Sequence, residues 1–491
     1  VPQGCRKIIL STNIAETSVT VTDVRFVLDT GKLREKRRFG SAGRTPSSAP
    51  VVLGRVADGY YYALFSQERH DALRAVGLPE LLRSDLQEVC LSIKAQKFKE
   101  PVGQFLAQAI EPPVPQAIEA AVSNLEAIEA FTEDERLTDL GSLLAKLPIH
   151  PAWGKMIVLG VIFRCLDPML ILGAAQEERS LFISPIGPDA RSQARRIRFN
   201  YANGEKSDHL SMLNAFREIR SLRDQSGMGY AFDRARDNYI HMGAFRTIEG
   251  TARQIVEILA EAKLIEKPEP FSSRSRYGGG GDYGPAALNR NSNNTALIQS
   301  LLLAGVYPNL GAKSSAKGSA FRTVTERGVL MHVSSLNDDS KSKEKTAFGS
   351  LYAYSSLAKA VDGHALFMRD TTQVSPLMTS LFGGKLDLTE SHRLELDDWL
   401  PFWIKTADRQ FASKLVLEFR KALDRVLNEA YRSLGHLEEH GQVGGFADDP
   451  IRERFASQVV RILSHAAGRP YGGQWEAGRW PRGGEGGRRE W

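Results

Sequence analysis

The spacing of apolar residues changes twice along this chain, and that switch restricts the folds open to it. Over residues 1–75 the apolar residues come in short runs. Arg6-Lys7-Ile8-Ile9-Leu10 stops at Ser11-Thr12-Asn13, Val24-Arg25-Phe26-Val27-Leu28 stops at Asp29-Thr30-Gly31, and Tyr60 to Phe65 makes a third. Such runs read as buried parallel strands, and open sheets of that kind bind ligands at the carboxyl ends of their strands. Three strands are too few for a complete domain of this type, so the sheet reads as cut on its N-terminal side. From about residue 80 to 265 the spacing becomes helical. Ile118, Ala121, Val122, Leu125 and Ile128 share one helix face, and Pro112, Pro113 and Pro115 bar an earlier start. Leu137 to Gly141 and Leu147-Pro148-Ile149 bracket a short helix, and others are expected over Met156 to Arg164, His209 to Arg223 and Thr247 to Ala262. Residues 267–294, with Lys267-Pro268-Glu269-Pro270 and Gly278 to Gly281, read as a flexible insertion. Strand-like runs then return at Thr323-Val324, Gly328 to Val333, Ser350 to Tyr354 and Ala365 to Met368, which predicts a small β-barrel. A long amphipathic helix follows, with Phe411, Leu415, Phe419, Leu423 and Val426 on one face, and the Gly/Arg/Trp-rich residues 468–491 read as disordered.

A chain of 491 residues has room for about three domains. With 42% hydrophobic and 25% charged residues it is neither a disordered chain nor a collagen. The most apolar stretch, Met156 to Leu172, is interrupted by Arg164, Asp167 and Pro168, so no membrane partner is expected. Three cysteines, Cys5, Cys90 and Cys165, make no disulfide framework and suit a reducing compartment, hence an intracellular protein of nucleus or cytoplasm. The first residues are Val-Pro-Gln rather than Met, which reads as processing or a fragment. The net charge is +6, and basic residues gather between Lys32 and Arg44 and at Arg191, Arg195, Arg196 and Arg198. The spacing puts Arg191, Arg195 and Arg198 on one helical face. Charge alone makes that face a solvated surface; an acidic partner such as RNA is the functional reading.

Ser11-Thr12-Asn13-Ile14-Ala15-Glu16-Thr17-Ser18-Val19-Thr20 resembles motif V of the DEAH-box RNA helicases, and Val27-Leu28-Asp29-Thr30-Gly31 follows as in that family. Hydroxyls and backbone amides at a strand end can hold phosphate oxygens. The likeness continues through Glu111-Pro112-Pro113, Leu140-Gly141, Leu147-Pro148-Ile149-His150-Pro151, Gly154-Lys155-Met156, Cys165-Leu166-Asp167-Pro168 and Ser207-Asp208-His209-Leu210 with Asn214. It ends in Ala304 to Asn309, His332-Val333-Ser334-Ser335-Leu336-Asn337 and Leu381-Phe382-Gly383-Gly384, which look like the family's auxiliary OB-fold. The resemblance implies a multidomain chain, α/β plus α plus β. Its expected parts are a partial RecA-like parallel sheet over 1–75, a winged helix over 76–147 and a helical ratchet bundle over 148–266. The flexible insertion over 267–294 follows, then an OB-fold barrel with its closing helix over 295–435 and a C-terminal extension over 436–491.

It further implies an ATP-dependent 3′-to-5′ RNA helicase that grips single-stranded RNA by its backbone, with ATP and Mg²⁺ as cofactors of the intact enzyme. An activator protein with a glycine-rich patch is a family expectation as partner. The resemblance assigns Glu16, Thr17, Asp29 and Arg55 to the nucleotide, with Arg55 also catalytic. It turns Ser11, Thr12 and Asn13 toward RNA, and the basic cluster adds Arg195 and Arg198. Thr12 also belongs to the coupling of the two sites.

Two departures matter. No G-x-x-x-x-G-K-[ST] and no D-E-x-H occurs in these residues, so nothing here cradles the β/γ-phosphates or holds Mg²⁺. Motif VI, Q-R-x-G-R-x-G-R in the family, reads Ser48-Ala49-Pro50-Val51-Val52-Leu53-Gly54-Arg55, with Val52 in place of an arginine. A mis-spliced exon around residues 39–53 is one explanation and loss of catalysis the other. On either, this chain alone is expected to bind ATP insecurely and not to hydrolyse it. The second function class is then a non-enzymatic module that binds RNA or a partner. His436-Leu437-Glu438-Glu439-His440 has the letters of a zinc-peptidase motif but no further ligand beside it, and no metal site is assigned.

Overall fold

The computed structural model describes residues 8–10, 25–30, 32–34, 44–46, 59–72, 79–82, 84–147, 149–176, 180–266, 282–314, 318–340, 346–360, 365–404, 406–435, 450–467 and 475–477. They fall into two compact units, one drawn from residues 1–85 and 106–114 and the other from 86–105 and 115–491.

In the first unit, β1 (Phe26–Asp29) and β4 (Tyr60–Ala63) pair in parallel, Phe26 opposite Tyr60 and Asp29 opposite Ala63. The Phe26 and Tyr60 rings stack with centroids 5.5 Å apart. Two more strands, β2 (Lys32–Arg34) and β3 (Arg44–Pro46), pair antiparallel, so the basic stretch from Lys32 to Arg44 begins in one strand of that pair and ends at the first residue of the other. Helix α1 (Gln67–Asp71) starts at Ser66, whose hydroxyl accepts from the Arg69 amide. The expected strand ending at Leu10 is absent from residues 8–10. Ile8 and Leu10 are exposed, so an apolar run with strand composition finds no pairing partner among the described residues.

The second unit opens with α2 (Gln87–Ala95), α3 (Val102–Leu106) and α4 (Pro115–Ala127), whose Ile118, Ala121 and Leu125 are buried as their spacing predicts. Pro115 is the first residue of α4, the position that tolerates a missing N–H. Next comes α5 (Asp139–Leu144). Thr138 caps it, accepting from the Gly141 amide at 2.9 Å. A Cβ on Gly141 would stand 2.1 Å from the Ala130 carbonyl oxygen, which explains a glycine after Leu140.

His150 and Pro151 start α6 (Pro151–Ile162), the His150 imidazole accepting from the Ala152 amide. This helix and α7 (Leu166–Gln176) are apolar nearly all round and lie in the core. Around them stand α8 (Pro188–Tyr201), α9 (Asp208–Ser226), α10 (Met228–Asp237), α11 (Met242–Glu261) and α12 (Thr295–Val306). Gly305 lets α12 approach α6, since a Cβ there would meet the Cβ of Met156 at 2.7 Å.

Strands β5 (Leu310–Lys313), β6 (Phe321–Arg322), β7 (Arg327–Met331), β8 (Leu351–Lys359) and β9 (Leu366–Val374) close into a barrel in the order β5-β6-β7-β9-β8. Phe321, Val329, Met331, Tyr352, Tyr354 and Met368 fill it. The strand expected at Thr323-Val324 lies two residues earlier, because Thr323 turns the chain: its hydroxyl accepts from the Glu326 amide at 2.9 Å. Then follow α13 (Pro376–Phe382), the sheet strands β10 (Leu386–Leu388), β11 (Leu394–Leu396) and β12 (Leu400–Ile404), and α14 (Arg409–Gly435). The chain ends in α15 (Pro450–Ala467) and β13 (Trp475–Ala477).

Three expectations need correction. Residues 282–294 are structural rather than flexible: the Tyr283 amide donates to the buried Asp167, and Asn289 accepts from the Asp167 amide at 2.8 Å. The face expected on α14 is only half right. Phe411 and Leu415 are exposed, while Ser413, Arg420, Leu423, Leu427, Ala430 and Leu434 are buried. Positions four apart drift about 40° round a helix, so the stripe leaves the buried face toward its N-terminal end. Within 468–491, Trp475–Ala477 pairs antiparallel with β12, because that strand's edge offers free backbone groups. Gly278 to Gly281, His436 to His440 and residues 478–491 lie outside the described residues.

Candidate nucleic-acid interface

Of the residues assigned to phosphate and RNA chemistry in the first unit, Ser11, Thr12, Asn13, Glu16, Thr17 and Arg55 lie outside the described residues. Asp29 stands at the carboxyl end of β1 and accepts from the Tyr61 hydroxyl at 3.0 Å. Burial and this carboxylate push the Tyr61 hydroxyl up to about 12.

The second unit brings the ratchet-like bundle and the barrel together at the start of α9. Ser207 caps this helix, its hydroxyl accepting from the Leu210 amide at 3.0 Å. Residues 206 and 207 also extend the barrel sheet: the Gln373 amide donates to the Lys206 carbonyl at 2.8 Å, and Ser207 bridges Thr372. The next residue, Asp208, is almost wholly buried. Its Oδ1 accepts from the Leu336 amide at 2.9 Å and from Arg198 at 3.2 Å. Its Oδ2 accepts from the Ser335 hydroxyl at 2.5 Å and the Thr371 amide at 2.9 Å. A carboxylate with this many donors holds the 332–338 loop in place. His209 completes the junction, Nδ1 on Thr372 and Nε2 on Ser355, each at 2.8 Å. Burial pushes its imidazole pKa down, so it is a neutral bridge.

The loop so fixed presents His332, Val333 and Ser334 outward beside Arg369. The His332 Nδ1 meets the Ser334 hydroxyl at 2.7 Å, and Val333 and Arg369 are exposed. Asn337 turns inward, donating to the Lys206 and Thr371 carbonyls. Arg195 and Arg198 both reach this loop. Arg195 donates to the carbonyls of Leu336 at 3.3 Å and Asp338 at 3.2 Å, and Arg198 to that of Ser334 at 2.8 Å. Arg191 donates to the Pro185 carbonyl at 3.1 Å. The helical face expected to carry these arginines is present, and what it visibly holds is protein backbone. Sequence reasoning missed Asp208 and Arg369 as parts of the site. The Ser-Asp pair before an apolar helix marks a cap, but its loop partners are more than a hundred residues away.

Residues 121–149 match the winged-helix part of the helicase associated domain, 150–212 its ratchet-like part, and 298–386 an oligonucleotide/oligosaccharide-binding fold. The chain is 31% identical over 453 residues to the ATP-dependent DNA/RNA helicase DHX36 of Homo sapiens, covering 88% of this chain and 42% of that one. It is 33% identical over 425 residues to the ATP-dependent RNA helicase dhx29 of Xenopus laevis, with 82% of this chain and 29% of that one covered. The chain spans less than half the length of these relatives. The chain carries helicase-associated winged-helix and ratchet-like domains and an OB-fold, and over most of its own length it is similar to part of these helicases.

Proposed function

We propose that this chain is the part of an ATP-dependent RNA helicase that grips single-stranded RNA through its backbone while the intact enzyme translocates 3′ to 5′. The observation that carries the reading is the 332–334 loop, held outward beside Arg369 by the buried Asp208. Grip without base selection needs donors and cations at fixed spacing along phosphates. Ser334 and Arg369 offer these, and Arg195 adds an exposed guanidinium at the rim. Arg198 acts through the loop. In the intact enzyme Ser11, Thr12 and Asn13 extend the RNA track, and Glu16, Thr17 and Arg55 face ATP and Mg²⁺, which supply the energy of movement. Asp29 is at a strand end suited to nucleotide binding, with the Tyr61 hydroxyl donating to its Oδ2. An activator with a glycine-rich patch fits this reading as partner, and an intracellular location suits an RNA substrate.

The test is anisotropy of a labelled single-stranded RNA on the whole chain across salt concentrations. Binding is expected to weaken steeply with salt, and Arg369→Ala to weaken it for every sequence while reducing the salt slope by about 1. No binding at low salt would overturn the proposal. A second reading, a binding module without catalysis, is favoured by Val52 in the arginine position of motif VI. RNA-stimulated ATP hydrolysis by this chain would exclude it.

A further inference from the structure

At the rim of the barrel, Nη2 of Arg369 on β9 and Nε2 of His332, just after β7, face each other across 3.4 Å. The Ser334 amide donates to Nδ1 of the same ring at 3.2 Å, and the Ser334 hydroxyl lies 2.7 Å from that nitrogen. Nδ1 therefore carries the lone pair of the neutral ring, and Nε2 carries the hydrogen. That hydrogen faces a guanidinium, which has only donors to set against it. The ring is held in this direction on two sides. It stands edge-on to Phe367, with centroids 6.0 Å apart, and Ser334 is fixed by Arg198, which donates to its carbonyl at 2.8 Å. Arg369 is exposed and makes no ion pair among the described residues. Two donors converging on one point, one of them charged, are satisfied together by an anionic acceptor with several lone pairs.

The charges around the ring set its protonation. Arg369 and Asp370 come from β9, and Asp338 from the loop itself. Arg195 and Arg198 of α8 bond the loop carbonyls, and Arg198 is paired with Asp208 of α9 at 3.2 Å. Burial first and the Arg369 charge second hold the imidazole pKa below its ordinary value, while the two aspartates oppose them. The protein groups by themselves thus favour the neutral ring. An anion between ring and guanidinium reverses the balance, because it offsets the Arg369 charge and accepts from Nε2–H. The added proton has a place on Nδ1. The Ser334 hydroxyl, a donor to the neutral ring, becomes the acceptor of Nδ1–H by turning about its Cβ–Oγ bond. Only the longer bond from the Ser334 amide is given up.

We propose that His332 and Arg369 form one phosphate site that takes up a proton when it fills, so that the grip on RNA tightens as the pH falls from about 8 to about 6. Proton and anion favour each other's binding by the same factor, as linkage requires. That the phosphate belongs to RNA rests on the function proposed above. The site itself is therefore tested with sulfate, whose charge is constant over this range.

The His332 imidazole of the whole chain is titrated by nuclear magnetic resonance in sulfate and in chloride of equal ionic strength, its signal identified by its loss in His332→Gln. Sulfate is expected to raise the midpoint by about 0.5 pH or more, and Arg369→Ala to abolish the difference. In parallel, labelled oligouridylate, which has no group titrating between these pH values, is bound at both. The unmodified chain is expected to gain about threefold or more in affinity from pH 8 to 6, beyond any gain shown by His332→Gln. An unchanged circular dichroism spectrum at both pH values reports that the chains are folded. Equal midpoints in sulfate and chloride overturn the proposal. So does RNA binding with the same pH ratio in folded His332→Gln, which leaves the grip standing without its proton. A raised midpoint with no RNA binding at either pH keeps the phosphate site and removes RNA as its occupant.

Discussion

His209 shows how one side chain can make a junction sensitive to acid. Both ring nitrogens are engaged with barrel hydroxyls, and burial holds the imidazole neutral by lowering its pKa. The unfolded chain takes up the proton near the ordinary value of about 6.5 and the folded chain only below that. Stability from this residue is therefore complete above about pH 6.5 and is lost as the pH falls through and below it, by at most about 1.4 kcal/mol per pH unit. Thermal melts from pH 7.5 to 5 are expected to fall less steeply for His209→Gln than for the unmodified chain. Parallel slopes would remove the residue from the acid response. Histidine next to a helix cap reads in sequence as a packing or hydrogen-bonding residue, and it is one. Its partners, Ser355 and Thr372, belong to the barrel and carry no mark of the pairing.

At the scale of elements, charge placement decides what periodicity leaves open. Asp167, fully buried near the start of α7, accepts from Arg220 at 2.6 Å, from Arg217 at 3.1 Å and from the Tyr283 amide at 2.9 Å. It thereby ties α7, α9 and the 282–292 segment into one piece. Removing one partner of a buried ion pair strands the other, at about 3–5 kcal/mol. Asp167→Ala is expected to lower the unfolding free energy measured in urea by that much, with Asp167→Asn milder because it still accepts from the Tyr283 amide. A loss below about 1 kcal/mol would show the arginines re-solvated. Arg420 acts similarly at the end of α13: it donates to the carbonyls of Ser380 and Gly383, both at 3.2 Å. A helix C-terminus leaves such carbonyls without partners. This explains why the buried face of α14 includes an arginine that an apolar-stripe reading passes over.

For the second unit as a whole, the joint between bundle and barrel is polar. Besides Arg198, the Leu336 and Thr371 amides and the Ser335 and Thr371 hydroxyls converge on one carboxylate, and apolar burial does not replace them. Asp208→Ala is therefore expected to leave the barrel and the bundle helices folded, with an unchanged far-ultraviolet spectrum, while the 332–338 loop loses its position. Single-stranded RNA affinity should fall about tenfold or more, the equivalent of about 1.4 kcal/mol. Unchanged affinity with a folded variant would separate the loop from the grip. The C-terminal helix is joined to the same unit: Val459 and Leu463 are buried, and Glu453 reaches Arg290 at 2.9 Å and Arg164 at 3.5 Å.

The sequence by itself determined the local order of this protein. The helical period of α4, α9 and α11, the caps at Thr138 and Ser207, the start of α6 at Pro151 and the strands of a small barrel follow from interactions that reach only a few residues, and so did the family resemblance, which is carried by contiguous motifs. Tertiary structure alone decided the partners of Asp167 and Asp208, the buried face of α14 and the ordering of residues 282–294. Each of these depends on desolvating a polar or charged group, which is tolerable only when a distant segment supplies the complementary donor or acceptor. No window along the chain contains both halves of such a pair.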